Sequence, residues 1–139
     1  LTALPFVIDN SVVSGWYLAN QASAYGDAVL SCLAQDNAVV PALWEAELVN
    51  VLRTACLRQR MTAQHAQAVL ARLGALPIEV DRQPMPRGEL LALSLRFGLS
   101  AYDATYLALA LRLQCPVATL DAALAEAAVA SGVGLLRPA

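Results

Sequence analysis

Four acidic residues stand where folding could gather them: Asp9 after Leu-Pro-Phe-Val-Ile, Glu47 in Glu-Leu-Val-Asn, Asp103 in Tyr-Asp-Ala and Asp121 in Thr-Leu-Asp. Asp9 and Asp121 each end a short apolar run that reads as a buried parallel strand, and ligands of open α/β sheets bind beyond the carboxyl ends of the strands. Glu47 lies inside a helix-forming segment. At about 100° per residue it shares a stripe with Asn50, Thr54 and Arg58, whereas Glu45 projects from the side of Val49, Leu52 and Cys56. Asp103 heads a stripe continued by Leu107 and Ala110, which sets its carboxylate above the core. Clustered carboxylates raise one another's pKa unless a cation neutralises them. With no His or Cys at ligand spacing, an all-oxygen site favours Mg²⁺ or Mn²⁺ over Zn²⁺.

Each acid also has a plainer explanation. Asp9 and Asp121 are suited to cap the helices that follow them, and Asp103 lies three residues after Ser100, the spacing of a capping box. Glu47 has no such role, being placed inside its helix. His65, the sole histidine, reads as a surface residue, and Trp16 and Trp44 read as core or interface residues.

The elements that must position these side chains follow from the apolar runs. Strands are expected at residues 4–8, 38–40, 77–80, 116–120 and 133–136, and helices at 10–19, 23–35, 42–59, 62–75, 87–97, 102–113 and 122–130. Pro41 suits a first helical position and Thr62 an N-cap. Strands alternating with helices imply an α/β fold with a parallel sheet covered on both faces. At 139 residues, without a linker or repeat, one domain over residues 1–139 is expected.

Composition narrows the chemistry. All nine basic residues are Arg, so mechanisms that need a lysine amine are excluded, among them P-loop and Schiff-base chemistry and response-regulator-like phosphoacceptors. Hydrophobic residues make up 58% and charged residues 14% of the chain, yet no apolar stretch reaches the roughly 18 residues that span a bilayer. The excess points to an apolar surface covered by a partner. Cys32, Cys56 and Cys115 form no pair at metal or disulfide spacing, and no basic n-region or cleavage pattern opens the chain, so a reducing cytoplasm is the expected location.

Taken together, F-V-I-D-N-S, P-A-L-W-E-A-E-L-V-N-V-L, L-S-A-Y-D-A-T-Y-L-A-L-A and V-A-T-L-D resemble the PIN-domain ribonucleases, and in particular the VapC-type toxins of toxin–antitoxin systems. The resemblance implies a three-layer α/β/α sandwich with a parallel sheet of four or five strands in the order 3-2-1-4-5. It implies an endoribonuclease whose acidic site falls on Asp9, Glu47, Asp103 and Asp121, with Thr119 and Asn50 as supporting hydrogen-bonding residues. Asp9, Asp103 and Asp121 would hold Mg²⁺ or Mn²⁺, and Glu47 would orient water or hold a second, weaker metal. The implied partners are an RNA substrate, a cognate antitoxin seated around residues 42 to 75, and a second copy in a homodimer. A net charge of −2 without lysine leaves Arg, backbone amides and metal to hold phosphates. The alternative is a PIN fold kept as a catalytically inactive binding module.

Overall fold

The computed structural model describes residues 4–138. The apolar runs become four strands, Pro5–Ile8 (β1), Asn37–Pro41 (β2), Ile78–Asp81 (β3) and Val117–Ala118 (β4). All pair in parallel, in the order β3-β2-β1-β4. Val7 pairs with Val39 on one side and Val117 on the other, which makes β1 the central strand. Phe6, Val7, Ile8, Val39, Val40 and Val117 are all buried. A strand covered on both faces has to be apolar on both, which is why these segments are runs rather than alternations.

Helices Asn10–Val13 (α1), Ala24–Cys32 (α2), Leu43–Leu57 (α3), Ala63–Gly74 (α4), Arg87–Phe97 (α5), Ala101–Leu113 (α6) and Ala122–Ser131 (α7) connect and follow the strands. The path β1 to β2 to β3 moves one way across the sheet, and the step from β3 to β4 returns past β1. Right-handed crossovers therefore put α1 to α4 on one face and α5 and α6 on the other. α6 carries the deepest stripe, with Tyr106, Leu107, Leu109 and Ala110 buried, and it packs on β1 and β2. α5 covers α6 and has no buried residue of its own.

The structure departs from the expected elements in five places. The helix expected over 10–19 stops after α1 and gives way to 3-10 turns at Ser14–Trp16 and Ala19–Gln21. The chain doubles back so tightly that a Cβ on Gly15 would stand 2.6 Å from the Gln21 carbonyl oxygen, and glycine alone permits the approach. Pro41 ends β2 opposite Asp81 instead of opening α3, whose N-cap is Ala42. The strand expected over 133–136 shrinks to one parallel bridge, Val117 with Leu135, because Gly132 (φ 94°) and Gly134 (φ 81°) take the chain out of the extended region. The expected helix at 23–35 and strand at 116–120 are likewise trimmed, to α2 and β4. Thr62 caps α4 as expected, accepting from the His65 N–H.

Candidate active site

Asp9 is the first residue past β1, buried to 7% exposure, and its carboxylate joins the ends of two strands. Its Oδ1 accepts from the Ser11 hydroxyl (2.5 Å) and the Ser11 N–H (3.1 Å), and its Oδ2 accepts from the Thr119 hydroxyl (2.6 Å). Both hydroxyls reach onward. Ser11 Oγ accepts from the Leu120 N–H (2.8 Å), and Thr119 Oγ1 accepts from the Asp121 N–H (3.0 Å). The network thus ties the loop after β4 to the start of α1, and Thr119 sits between the two aspartates that follow β1 and β4.

The remaining acids arrive on helices. Asp121 N-caps α7, its Oδ2 accepting from the Leu124 N–H (2.9 Å), and Asp9 N-caps α1 through Ser11, so the capping roles anticipated for both are real. Asp103 enters in the first turn of α6, where its N–H donates to Ser100 Oγ (3.1 Å). Glu47, in the second turn of α3, accepts a very short hydrogen bond at Oε1 from the hydroxyl of Tyr106. Tyr106 is 2% exposed and lies one turn after Asp103 on α6. One helix therefore presents Asp103 and also grips Glu47 from the opposite face of the sheet.

Electrostatics distinguishes this group from the other acids. Burial pushes the Asp9 carboxyl above its ordinary 3.8; the Ser11 and Thr119 donors pull it back, and the charge on Asp103 pushes it up again. Asp103 is raised too, by burial first and then by Asp121. Burial and the Glu47 carboxylate hold the Tyr106 hydroxyl firmly protonated, as a donor. Among the described residues the ion pairs are Arg82 with Glu45 (2.9 Å) and Arg112 with Asp81 (2.6 Å), and neither touches this group. An uncompensated set of oxygen donors at the end of a sheet is chemically suited to a hard divalent cation. Among the described residues, no three His, Cys, Asp or Glu side chains approach closely enough to enclose one ion as they stand.

Residues 6–130 match the PIN domain family, nine-tenths of the chain. The chain belongs to the PIN domain family. It is also 39% identical over 89 residues to ribonuclease VapC1 of Mycobacterium tuberculosis, from strains CDC 1551 / Oshkosh and ATCC 25618 / H37Rv alike. These matches cover 63% of this chain and 65% of the relatives' length. The crystal structure of PAE2754 from Pyrobaculum aerophilum superposes with a TM-score of 0.65 over 95% of this chain and 83% of that one, at 21% identity, which bears on the fold.

Within this PIN domain the six residues singled out from the sequence divide. Asp9, Thr119 and Asp121 form one hydrogen-bonded unit, Asp103 couples to both aspartates through charge, and Glu47 joins α6 through Tyr106. Asn50 is not brought into that unit: it is exposed, one turn beyond Glu47, and lines a separate cavity with Gln21 and Arg58. Two residues escaped the sequence reading. Ser11 stands two positions after Asp9, the spacing at which a backbone N–H closes an Asx turn on the aspartate, and its hydroxyl adds a second bond to the same oxygen. Tyr106 stands three positions after Asp103, which places it on the same helix face.

Proposed function

We propose that this chain is a metal-dependent endoribonuclease acting as the toxin of a toxin–antitoxin pair, and that Asp9, Glu47, Asp103 and Asp121 form its active site. The carrying observation is the buried Asp9 carboxylate, held by two hydroxyls and paired with no arginine among the described residues, within a PIN domain that shares 39% identity over 89 residues with a ribonuclease VapC1. Asp9, Asp103 and Asp121 would hold Mg²⁺ or Mn²⁺, which when bound supplies Lewis acidity at a phosphodiester and neutralises the acids.

The chain's own residues supply the rest. Thr119 keeps Asp9 and Asp121 in register by donating to one and accepting from the backbone of the other. Glu47 orients the attacking water, and the Tyr106 hydroxyl positions Glu47 by occupying one of its oxygens, which leaves the other free for that task. Asn50, in the separate cavity further along α3, would serve as a supporting hydrogen-bonding residue away from the acids.

For the partners, exposed apolar side chains support the reading. Val49 (55% exposed) and Leu57 (66%) on α3 lie in the stretch assigned to the antitoxin, while Leu91 (61%) and Leu95 (76%) on α5 suit a homodimer contact. No helix among the described residues is long and apolar enough to cross a membrane. The proposed location is the cytoplasm.

Incubation of the purified protein with structured RNA tests the activity. Cleavage with Mg²⁺ or Mn²⁺, loss of cleavage in chelator, and loss in Asp9→Asn with the fold intact are expected. Cleavage in chelator would contradict the metal requirement. No cleavage together with no response to Mn²⁺ would favour the inactive binding module.

A further inference from the structure

Beyond the acids, the two elements that carry Asp9 and Glu47 continue outward and enclose a second polar feature. α3 runs from Glu47 through Asn50 and Thr54 to Arg58, a distance of about 16 Å at 1.5 Å per residue. From Asp9, α1 leads into the 3-10 turns that end at Gln21, and the Ser14 hydroxyl fixes Gln21 by donating to its Oε1 (2.5 Å). Between these walls lies a cavity of about 220 Å³, with Asn20 and Gln21 on one side and Asn50, Thr54, Arg58 and Arg60 on the other. No carboxylate lines it.

The two arginines are held apart by a tight helix end. Gln59 adopts φ 58°, the Gln59 N–H donates to the Cys56 carbonyl (3.0 Å) and the Arg60 N–H to the Ala55 carbonyl (2.9 Å), a Schellman closure. Cations are generally favoured at a helix C-terminus, and that accounts for their tolerance at this end. It does not account for a cavity whose polar lining residues are two arginines, Asn20, Gln21, Asn50 and Thr54, set beside Leu18, Val51 and Ala55 and without an acid. Neither arginine is in an ion pair among the described residues, unlike Arg82 and Arg112. In a chain with nine cations and a net charge of −2, two unpaired arginines on one cavity are a concentrated positive feature.

We propose that this cavity is a phosphate-binding subsite for a single-stranded stretch of the RNA, several nucleotides from the scissile bond, with Arg58 and Arg60 as its cationic ligands and Asn20, Asn50 and Thr54 as neutral donors. The inference rests on the ribonuclease reading for what is bound. A guanidinium fork matches phosphate oxygens in pairs. The subsite shares α3 with Glu47, and its other wall is the 3-10 turn that follows α1, so a strand bound there would run along α3 toward the acids and be held by arginines in a chain without lysine. Asn50 thereby belongs to the strand path rather than to the acidic unit.

The test measures binding without catalysis, by fluorescence anisotropy of a fluorescein-labelled 12-mer of oligo(U) with the full chain in chelator. R58A/R60A should weaken binding at least about tenfold and flatten the plot of log affinity against log salt by about 1.4, the value for two phosphates on a single strand. R72A/R96A removes the same charge elsewhere and should change neither. Equal losses in both double variants would reduce the effect to net charge and overturn the proposal, as would undetectable binding by the wild type. A site for a small free anion would show as inorganic phosphate raising the melting temperature of wild type but not of R58A/R60A, with oligo(U) affinity unchanged between them; that too overturns it. These outcomes are separate from the catalytic reading, which stands or falls on metal-dependent cleavage and its loss in Asp9→Asn.

Discussion

Two aspartates mark the same edge of the sheet and have been treated oppositely by the fold. Asp81 ends β3 and is answered by Arg112 at 2.6 Å, which holds its carboxyl below the ordinary 3.8. Asp9 follows β1, at the centre of the sheet, and is answered by hydroxyls while burial and Asp103 push its carboxyl above the same value. An arginine beside an acid completes a structural link. Hydroxyls hold a carboxylate in place without cancelling its charge, so under the proposed function Asp9 is the carboxylate that a bound cation would answer, whereas Asp81 already has Arg112.

Exchanging charge for amide at the two positions should break that comparison most severely in activity. Asp9→Asn is expected to lower the RNA cleavage rate on the order of a thousandfold or more, whereas Asp81→Asn is expected to leave it within about threefold, as measured by single-turnover assays at saturating Mn²⁺. Comparable losses at both would erase the distinction.

Thr119→Val should be next in size. It removes a buried donor to a carboxylate and the acceptor of the Asp121 N–H, and should cost about 2 to 3 kcal/mol in denaturant unfolding. A loss below about 0.5 kcal/mol would show that the network does not hold the strand ends together. Tyr106→Phe keeps the buried ring and deletes the bond to Glu47, with an expected loss of about 1 to 2 kcal/mol and a drop in cleavage of about tenfold. In a Glu47→Gln background the same change should add little to the loss of activity, because Tyr106 acts through Glu47. Additive losses would contradict that route.

The pH dependence of stability in chelator sharpens the contrast with a smaller effect. For Asp9 and Asp103 the folded pKa is raised, so their contribution is fully present below the unfolded value near 3.8 and is lost as pH rises through the folded value. For Asp81 the folded pKa is lowered, so its contribution is present above 3.8 and is lost as pH falls through the folded value. The melting temperature should therefore climb as pH is brought down from neutrality, then fall at strongly acid pH. Asp9→Asn should flatten the climb, and Asp81→Asn the fall. Glu45→Gln, which breaks only an exposed pair with Arg82, should shift stability by less than about 0.5 kcal/mol at any pH.

Much of this arrangement was legible before the fold was described, and the reason is physical. Strands buried on both faces leave uninterrupted apolar runs, so β1, β2 and the residues that end the runs, Asp9 and Asp121, stand out in the sequence. Local spacing could not show the doubling back at Gly15, because the obstacle that demands glycine is the carbonyl of Gln21, met only after folding. Pro41 misled for a related reason: its missing N–H is as tolerable at the end of a strand as at the start of a helix, and pairing with β3 decided between them. The Tyr106 link to Glu47 joins residues 59 positions apart on opposite faces of the sheet, beyond the reach of any local pattern. Asn50 shares a stripe with Glu47, but a stripe fixes direction from the helix axis and not distance along it, so it pointed correctly and reached a different cavity.

The central claim, that the Asp9 group requires a cation and Asp81 does not, is tested most directly by melting the protein with and without Mn²⁺. At a hundredfold excess over its dissociation constant Mn²⁺ should stabilise the wild type by about 2.7 kcal/mol, on the order of 10 °C. Asp81→Asn should keep that full shift, and Asp9→Asn and Asp103→Asn should lose most of it. A wild type that does not respond to Mn²⁺, or an Asp9→Asn variant that responds as fully as Asp81→Asn, would contradict the account.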